Sequence, residues 1–230
     1  MKKNLILFAL TFGLILGCSS NKKEKELVEK KHEGLKKDFV VRDASSNTRP
    51  GWVEDAELWA KEYGKDTSKY RYFSYETEPK VGRSIACNLA KANAKVDIAG
   101  EIATFIDKQL ASSTEGRAGI DENNPQVQGL REFVSNTLAE KIQALIHGAA
   151  VVKTYWEKRN YQVDLGAKRD FSAFTCAVFI RIPSKRLSAA VNEAANHVVK
   201  KADDPETKAN VKQALKDASK NFVKAKQGTI

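Results

Sequence analysis

From Ile85 to Leu110 the apolar residues fall at Ile85, Leu89, Ala92, Val96, Ala99, Ala103, Ile106 and Leu110, a spacing of 4, 3, 4, 3, 4, 3, 4. A strand repeats every two residues, so this pattern excludes one. It is a single helical face held over nearly four heptads, and the spacing predicts a helix from Gly82 to about Leu110. The alanines keep the stripe narrow, so a sheet or a second helix can approach closely. Ile102 and Phe105 broaden it toward the C-terminal end. Two coverings are open for such a face: the domain's own core, or another subunit. Ile85, Leu89, Val96 and Ile106 are therefore candidate interface residues.

Around this helix the chain alternates strand and helix signals. KYRYFSYETE puts Tyr70 and Tyr72 on one face and Arg71, Phe73 and Tyr75 on the other, rich in the aromatics that favour sheet. Before it, Pro50 and Gly51 mark a turn, Trp52 tucks against the domain, and Glu54 to Tyr63 suit a short helix. A polar loop, SSTEGRAGIDENNPQ, precedes a second helix from about Val127 to Ile146, with Leu130, Val134, Leu138, Ile142 and Leu145 along one side. AAVVKTYWEK reads as a strand and NYQVDLGAKRD as a loop with Gly166 at a turn. FSAFTCAVFIRIP is a strand with Phe174, Cys176, Val178, Ile180 and Ile182 pointing one way. The short connection makes these two an antiparallel hairpin.

Pro183 ends that strand, and a helix follows with Leu187, Val191, Ala194 and Val198 inward. Asp204 and Pro205 carry the signature of a new helix start, a capping acid and proline in the first turn. Beyond them Val211, Leu215, Ala218 and Phe222 repeat the 4, 3, 4 spacing in a lysine-rich setting. This amphipathic tail has three open fates: docking on its own domain, on a neighbour, or on a membrane surface. Val211, Leu215 and Phe222 join the candidate interface. The expected fold is α+β, a small antiparallel sheet packed against two long helices with a C-terminal helical extension.

The N-terminus reads MKKNLILFALTFGLILGCSSN. Two lysines and 13 residues from Leu5 to Gly17 are too short for a membrane span, which takes about 20 apolar residues. They fit a signal segment. LILGC resembles a lipobox, the recognition sequence of bacterial lipoprotein signal peptides, with Leu16 where a smaller residue is usual. Cys18 then becomes the first residue and carries lipid. An uncleaved anchor and ordinary secretion are the alternatives. The expected order is a signal peptide over 1–17, a polar tether over 18–48, an α+β domain over 49–200 and a lysine-rich helical tail over 201–230. Ser19 and Ser20 after the cysteine resemble an outer-membrane sorting pattern.

The formal charge is +10, or +8 without Lys2 and Lys3. With an export signal and no nucleic-acid motif, the excess points to anionic lipid, an acidic envelope partner or solubility rather than nucleic acid. Three cysteines include Cys18, and two do not make a disulfide framework. An oxidising compartment permits a bridge, but Cys87 sits off the centre of its helix's apolar stripe, so free thiols are expected ahead of a Cys87–Cys176 bridge, which stays open. His32, His147 and His197 stand apart, and no HExxH, CxxC, GxSxG or P-loop spacing occurs. No metal, cofactor or catalytic residue is assigned, and Asp121 and Glu122 lie in a polar loop without the calcium-loop pattern. Trp52, Tyr70, Tyr72, Tyr155 and Trp156 form a candidate aromatic cluster that suits either a ligand groove or a core.

Several of these parts together resemble the Lpp20-type outer-membrane lipoproteins: the lipobox at Cys18, Pro50-x-Trp52, Val81 and Gly82 leading into GRSIACNLAKANAKVDIAGEIATFI, then VVKTYWEK and AFTCAVFIRIP running into the helix near Leu187. The resemblance is one of order and texture over roughly residues 50 to 200. It implies a lipid-anchored, non-enzymatic structural protein of the outer membrane that assembles with itself or a larger envelope complex, flagellum-associated in some relatives. The long polar loop after Leu110 and the lysine-rich tail depart from it. The rival reading is a monomeric envelope module binding a protein, lipid or peptidoglycan, and the direction in which the aromatics point separates the two.

Overall fold

A computed structural model describes residues 37–114 and 125–228. Cys18, the signal segment and most of the expected tether lie outside the described residues. Four antiparallel strands form one sheet in the order β1-β3-β4-β2: β1 (Phe39–Ala44), β2 (Tyr70–Glu76), β3 (Ala150–Tyr161) and β4 (Phe171–Pro183). The helices are α1 (Ala56–Glu62), α2 (Arg83–Thr114), α3 (Pro125–Phe133), α4 (Ala139–Leu145), α5 (Ser184–Lys201), α6 (Pro205–Ala214) and α7 (Ala218–Lys226). A π-helical segment, Val134–Leu138, joins α3 to α4.

β3 and β4 form the expected hairpin, and β3 is longer than expected, running through Tyr161. Phe73, Cys176, Val178, Ile180 and Ile182 point to the helical side, where α2 and α5 cover the sheet. The opposite face carries Tyr72, Tyr155, Ala177 and Phe179 beneath Trp52, Ala56 and Ala60. Alternation along each strand thus builds two cores, one per face.

FVVRDA, expected in the tether, is instead strand β1, paired with the second half of β3. Only Phe39 and Ala44 are even partly buried, so the signal that makes it a strand is the partner edge of β3 and not its own burial. Its register breaks between Val41 and Asp43, a bulge of the kind that guards sheet edges.

Long helix α2 departs from the stripe read in the sequence. Its buried side chains include a row, Ala86, Ala90, Ala94, Ile98, Ile102, Ile106 and Leu110, each four residues from the next, with Ala99 and Ala103 beside it. A helix turns once per 3.6 residues, so a row spaced by four winds around the axis by about 40° per step. The first half of α2 lays this row on the sheet, and the second half lays it among the helices. Ala99, Ala103, Ile106 and Leu110 of the expected stripe are buried accordingly, while Ile85 and Val96 are 49% and 47% exposed. The same fourfold row continues in Leu130, Val134, Leu138 and Ile142, where the wider π turn between α3 and α4 takes up drift.

The tail docks on its own domain. Val211, Leu215, Ala218 and Phe222 are buried in the main core, and Phe222 meets Phe105 edge-on at 5.2 Å between ring centroids. Asp204 caps α6 by accepting from the Thr207 N–H at 2.7 Å, as the Asp-Pro pair predicts. Val211, Leu215, Phe222 and Ile106 are therefore core residues and not an interface, because their apolar area is already spent inside the fold.

Candidate functional site

The outer face of the sheet gathers most of the candidate aromatics. Trp52 follows Pro50 into a short 3-10 turn that lays its ring on Phe179, 5.5 Å between centroids. Tyr72 stacks on the same Phe179 at 5.3 Å. Trp52, Tyr72 and Tyr155 are buried, and Tyr70 packs at the margin with Arg181 4.5 Å over its ring. Trp156 does not join them. One residue along β3 from Tyr155, it points to the other face, where Arg83 lies 4.9 Å over its ring. Phe179, which the sequence offers only as a strand residue, is the hub of the cluster. The cluster is a core and not an open groove.

Beside it lies a charged network that the sequence did not disclose. Alternation on β3 puts Tyr155, Glu157 and Arg159 on this face, and β2 adds Glu76. Glu157 accepts from the Tyr155 hydroxyl at 2.9 Å and from Arg159 Nε at 2.7 Å. Arg159 also donates to Glu76 at 2.7 Å. Arg49, arriving from the segment after β1, donates to Glu76 at 2.7 Å, to Glu54 at 2.8 Å and to Glu157 at 3.3 Å. Burial pushes the Glu157 and Glu76 carboxyls up, but their arginine partners outweigh it and hold both below the usual carboxylate range. Burial, and then the adjacent Glu157, push the Tyr155 hydroxyl up to about 12. Each acid has a base and each base an acid, so the network fastens the segment after β1 to the sheet.

A cleft of about 480 Å³ opens between α1, β2, α2 and the end of α7. Glu57 stands in it with its carboxyl pushed up by burial. Both oxygens are engaged: Arg71 Nη1 donates to one at 2.9 Å and the Tyr72 N–H to the other at 2.8 Å. Tyr72 lies on edge strand β2, so Glu57 caps an outward-facing backbone donor. Across the cleft Lys226 pairs with Glu101 at 2.9 Å and lies 4.6 Å over the Phe73 ring. No group of three or more histidine, cysteine or acidic side chains able to hold a metal occurs among the described residues, and no described helix is long and apolar enough to cross a membrane.

Cys87 and Cys176 are joined in a disulfide, with Cα atoms 5.0 Å apart, which corrects the expectation of free thiols. The winding of the buried face explains the correction. In the first half of α2 that face is centred on Ala86, Ala90 and Ala94, and Cys87 belongs to it. Judged against the straight stripe through Ile85 and Leu89, the same residue looks misdirected.

No family model, no curated protein and no solved structure matches this chain.

Proposed function

We propose that this chain is a lipid-anchored structural component of the bacterial cell envelope, held in the outer membrane through Cys18 and assembling with itself or with a larger machine. The observation that carries the structural part is the closed outer face of the sheet: the aromatics that would line a ligand groove are buried on Phe179. The Cys87–Cys176 bridge supports an oxidising compartment, where such bonds persist. The resemblance to Lpp20-type lipoproteins supports the same address and, through some relatives, a flagellar association. Several acyl chains on one cysteine hold far more firmly than one, since each buried CH₂ contributes about 0.8 kcal/mol. A Cys18→Ser change is expected to leave an unlipidated precursor and to remove the protein from the outer-membrane fraction. Unchanged outer-membrane fractionation, with normal processing, would overturn the anchor.

A second reading, a monomeric binding module, draws on the cleft between α1, β2, α2 and α7. Lysine-reactive crosslinking of intact envelopes separates the two. A ladder of multimers supports assembly, whereas monomer together with a heterologous partner supports the module.

A further inference from the structure

Strand β2 ends the sheet, and one side of its backbone pairs with no described strand. The register with β4 shows which side. It runs unbroken from Tyr70 opposite Pro183 to Glu76 opposite Ala177, and the Thr77 N–H beyond it donates to the Cys176 carbonyl at 2.9 Å. Antiparallel pairs alternate between bonded and non-bonded. Arg71, Phe73 and Tyr75 therefore turn their N–H and C=O groups to β4, and Tyr70, Tyr72 and Ser74 turn theirs away. Three of the outward groups are taken: the Tyr70 N–H by the Asp66 carbonyl, the Tyr70 carbonyl by Arg71 and the Tyr72 N–H by Glu57. The Tyr72 carbonyl, the Ser74 N–H and the Ser74 carbonyl have no partner among the described residues.

Tyr72 and Ser74 line the cleft between α1, β2, α2 and α7. α1 packs on the outer face of the sheet and α7 on the helical face, so a cleft that touches both lies off the edge of β2. On the α1 side Leu58 stands 51% exposed. The helical side carries Glu101 and Lys226. A strand residue rises about 3.3 Å, sits about 4.8 Å from its neighbour and fills a layer about 10 Å deep, or roughly 160 Å³. The cleft of about 480 Å³ then takes about three such residues.

We propose that this slot binds a short extended segment of a partner protein, added to β2 as a parallel strand. The direction follows from the open groups. In a parallel pair, a residue bonds those before and after the one opposite it. The peptide residue before the one opposite Ser74 gives its N–H to the Tyr72 carbonyl and accepts from the Ser74 N–H. The residue after gives its N–H to the Ser74 carbonyl. All three open groups are used, by three residues. An antiparallel strand would instead set a peptide carbonyl against the Glu57 carboxylate, which already holds the Tyr72 N–H. Opposed residues share a face, so the central side chain meets Leu58 and is apolar. Its two neighbours point to the other side. Lining acids outnumber bases, with Glu54, Asp55, Glu57 and Glu101 against Lys61 and Lys226, so these neighbours are basic. Main-chain bonds supply affinity and alternate side chains supply selectivity. The proposal names a ligand class for the cleft of the binding-module reading and rests on that cleft being a binding site. It needs neither the Cys18 anchor nor self-assembly.

The test uses the purified full chain in detergent. The probe is a blocked five-residue peptide with a diazirine-bearing leucine at its centre, a lysine on each side and threonine at each end. Photolabelling is expected at Leu58 and its neighbours on α1. An N-methyl group on either lysine is expected to lower it at least tenfold, and one on the central residue to leave it unchanged, because that N–H points away from β2. Ser74→Pro is expected to match the lysine methylations. Its lost N–H is outside the β2–β4 ladder, and edge strands accept proline at such positions. Ser74→Ala keeps the N–H and should label as the parent does. The methylated peptides need no change in the protein, so they decide the matter even if Ser74→Pro fails to fold. No labelling in the cleft, labelling indifferent to the methyl position, or loss on central methylation overturns this pairing. In intact envelopes, a heterologous lysine crosslink that survives Ser74→Pro overturns the strand and leaves the module reading standing, whereas its loss supports both.

Discussion

At the scale of the residue, Glu157 and the two cysteines carry the clearest consequences. Glu157 is 3% exposed and bonded to Tyr155 and Arg159. Its folded carboxyl loses its proton more readily than in the unfolded chain, so the folded state binds fewer protons there. The resulting stability is present above the unfolded value of about 4.3 and is lost as pH falls through the lower folded value. Glu76 acts in the same direction, and Glu57 and Asp97, raised by burial, act in the opposite one. The clean measurement is a difference. Glu157→Gln is expected to cost about 3 kcal/mol at neutral pH, as loss of one partner of a buried pair does. Relative to the parent, its urea-melt stability should decline less between about pH 5 and 3. In the same variant the Tyr155 hydroxyl should titrate closer to about 10 in alkaline absorbance. An equal acid slope in both proteins would show that Glu157 is not held ionised by the network.

The disulfide closes a separation of 89 residues. Removing it by Cys87→Ser is expected to cost roughly 2–5 kcal/mol, read as a lowered melting midpoint, with reductant lowering the parent in the same way. Thiol labelling of the unreduced, denatured protein should find neither Cys87 nor Cys176. Labelling at both positions would contradict the bridge.

At the scale of the element, α2 is one helix with two differently aimed halves. Ala94 is 1% exposed against the core and Val96, two residues on, is 47% exposed. Ala94→Leu should therefore cost about 1–3 kcal/mol through overpacking, while Val96→Gln stays within about 0.5 kcal/mol. Comparable losses from the two would mean that the face does not wind as described. The tail obeys the same logic. Phe222 is 2% exposed, so Phe222→Ala should cost about 3–5 kcal/mol. A tail that served only as a membrane lever would tolerate the change in a denaturant melt.

At the scale of the whole molecule, the sheet ends in two edge strands, each guarded differently. β1 carries a bulge, and β2 has the Tyr72 N–H closed by Glu57 and Ser74 donating to the Val53 carbonyl at 3.3 Å. Edges managed in this way resist indiscriminate strand pairing. Apart from Lys226, the lysines of α6 and α7 face outward while their apolar residues are used in the core, so most of the tail's charge is a surface property and its hydrophobic stripe is not.

Local signals in the sequence marked most of the elements, though not β1. Period two marked β2, β3 and β4, Asp204-Pro205 marked a helix start, and the apolar repeats marked the long helices, because these signals are local and set by backbone geometry. The sequence also supplied the aromatics Trp52, Tyr72 and Tyr155, though not Phe179 as their hub. Packing alone settled which way each face points at each place along the chain. The apolar residues of α2 supply both a straight 4, 3 stripe and a row spaced by four, which share only Ile106 and Leu110, and only the sheet under one half of α2 and the helices around the other select between them. The Cys87–Cys176 pairing follows from that choice, and the burial of the tail, the capture of FVVRDA by the edge of β3 and the Arg49–Glu76–Glu157–Arg159 network are likewise tertiary. Each depends on residues distant in sequence, and no local pattern encodes where such residues meet.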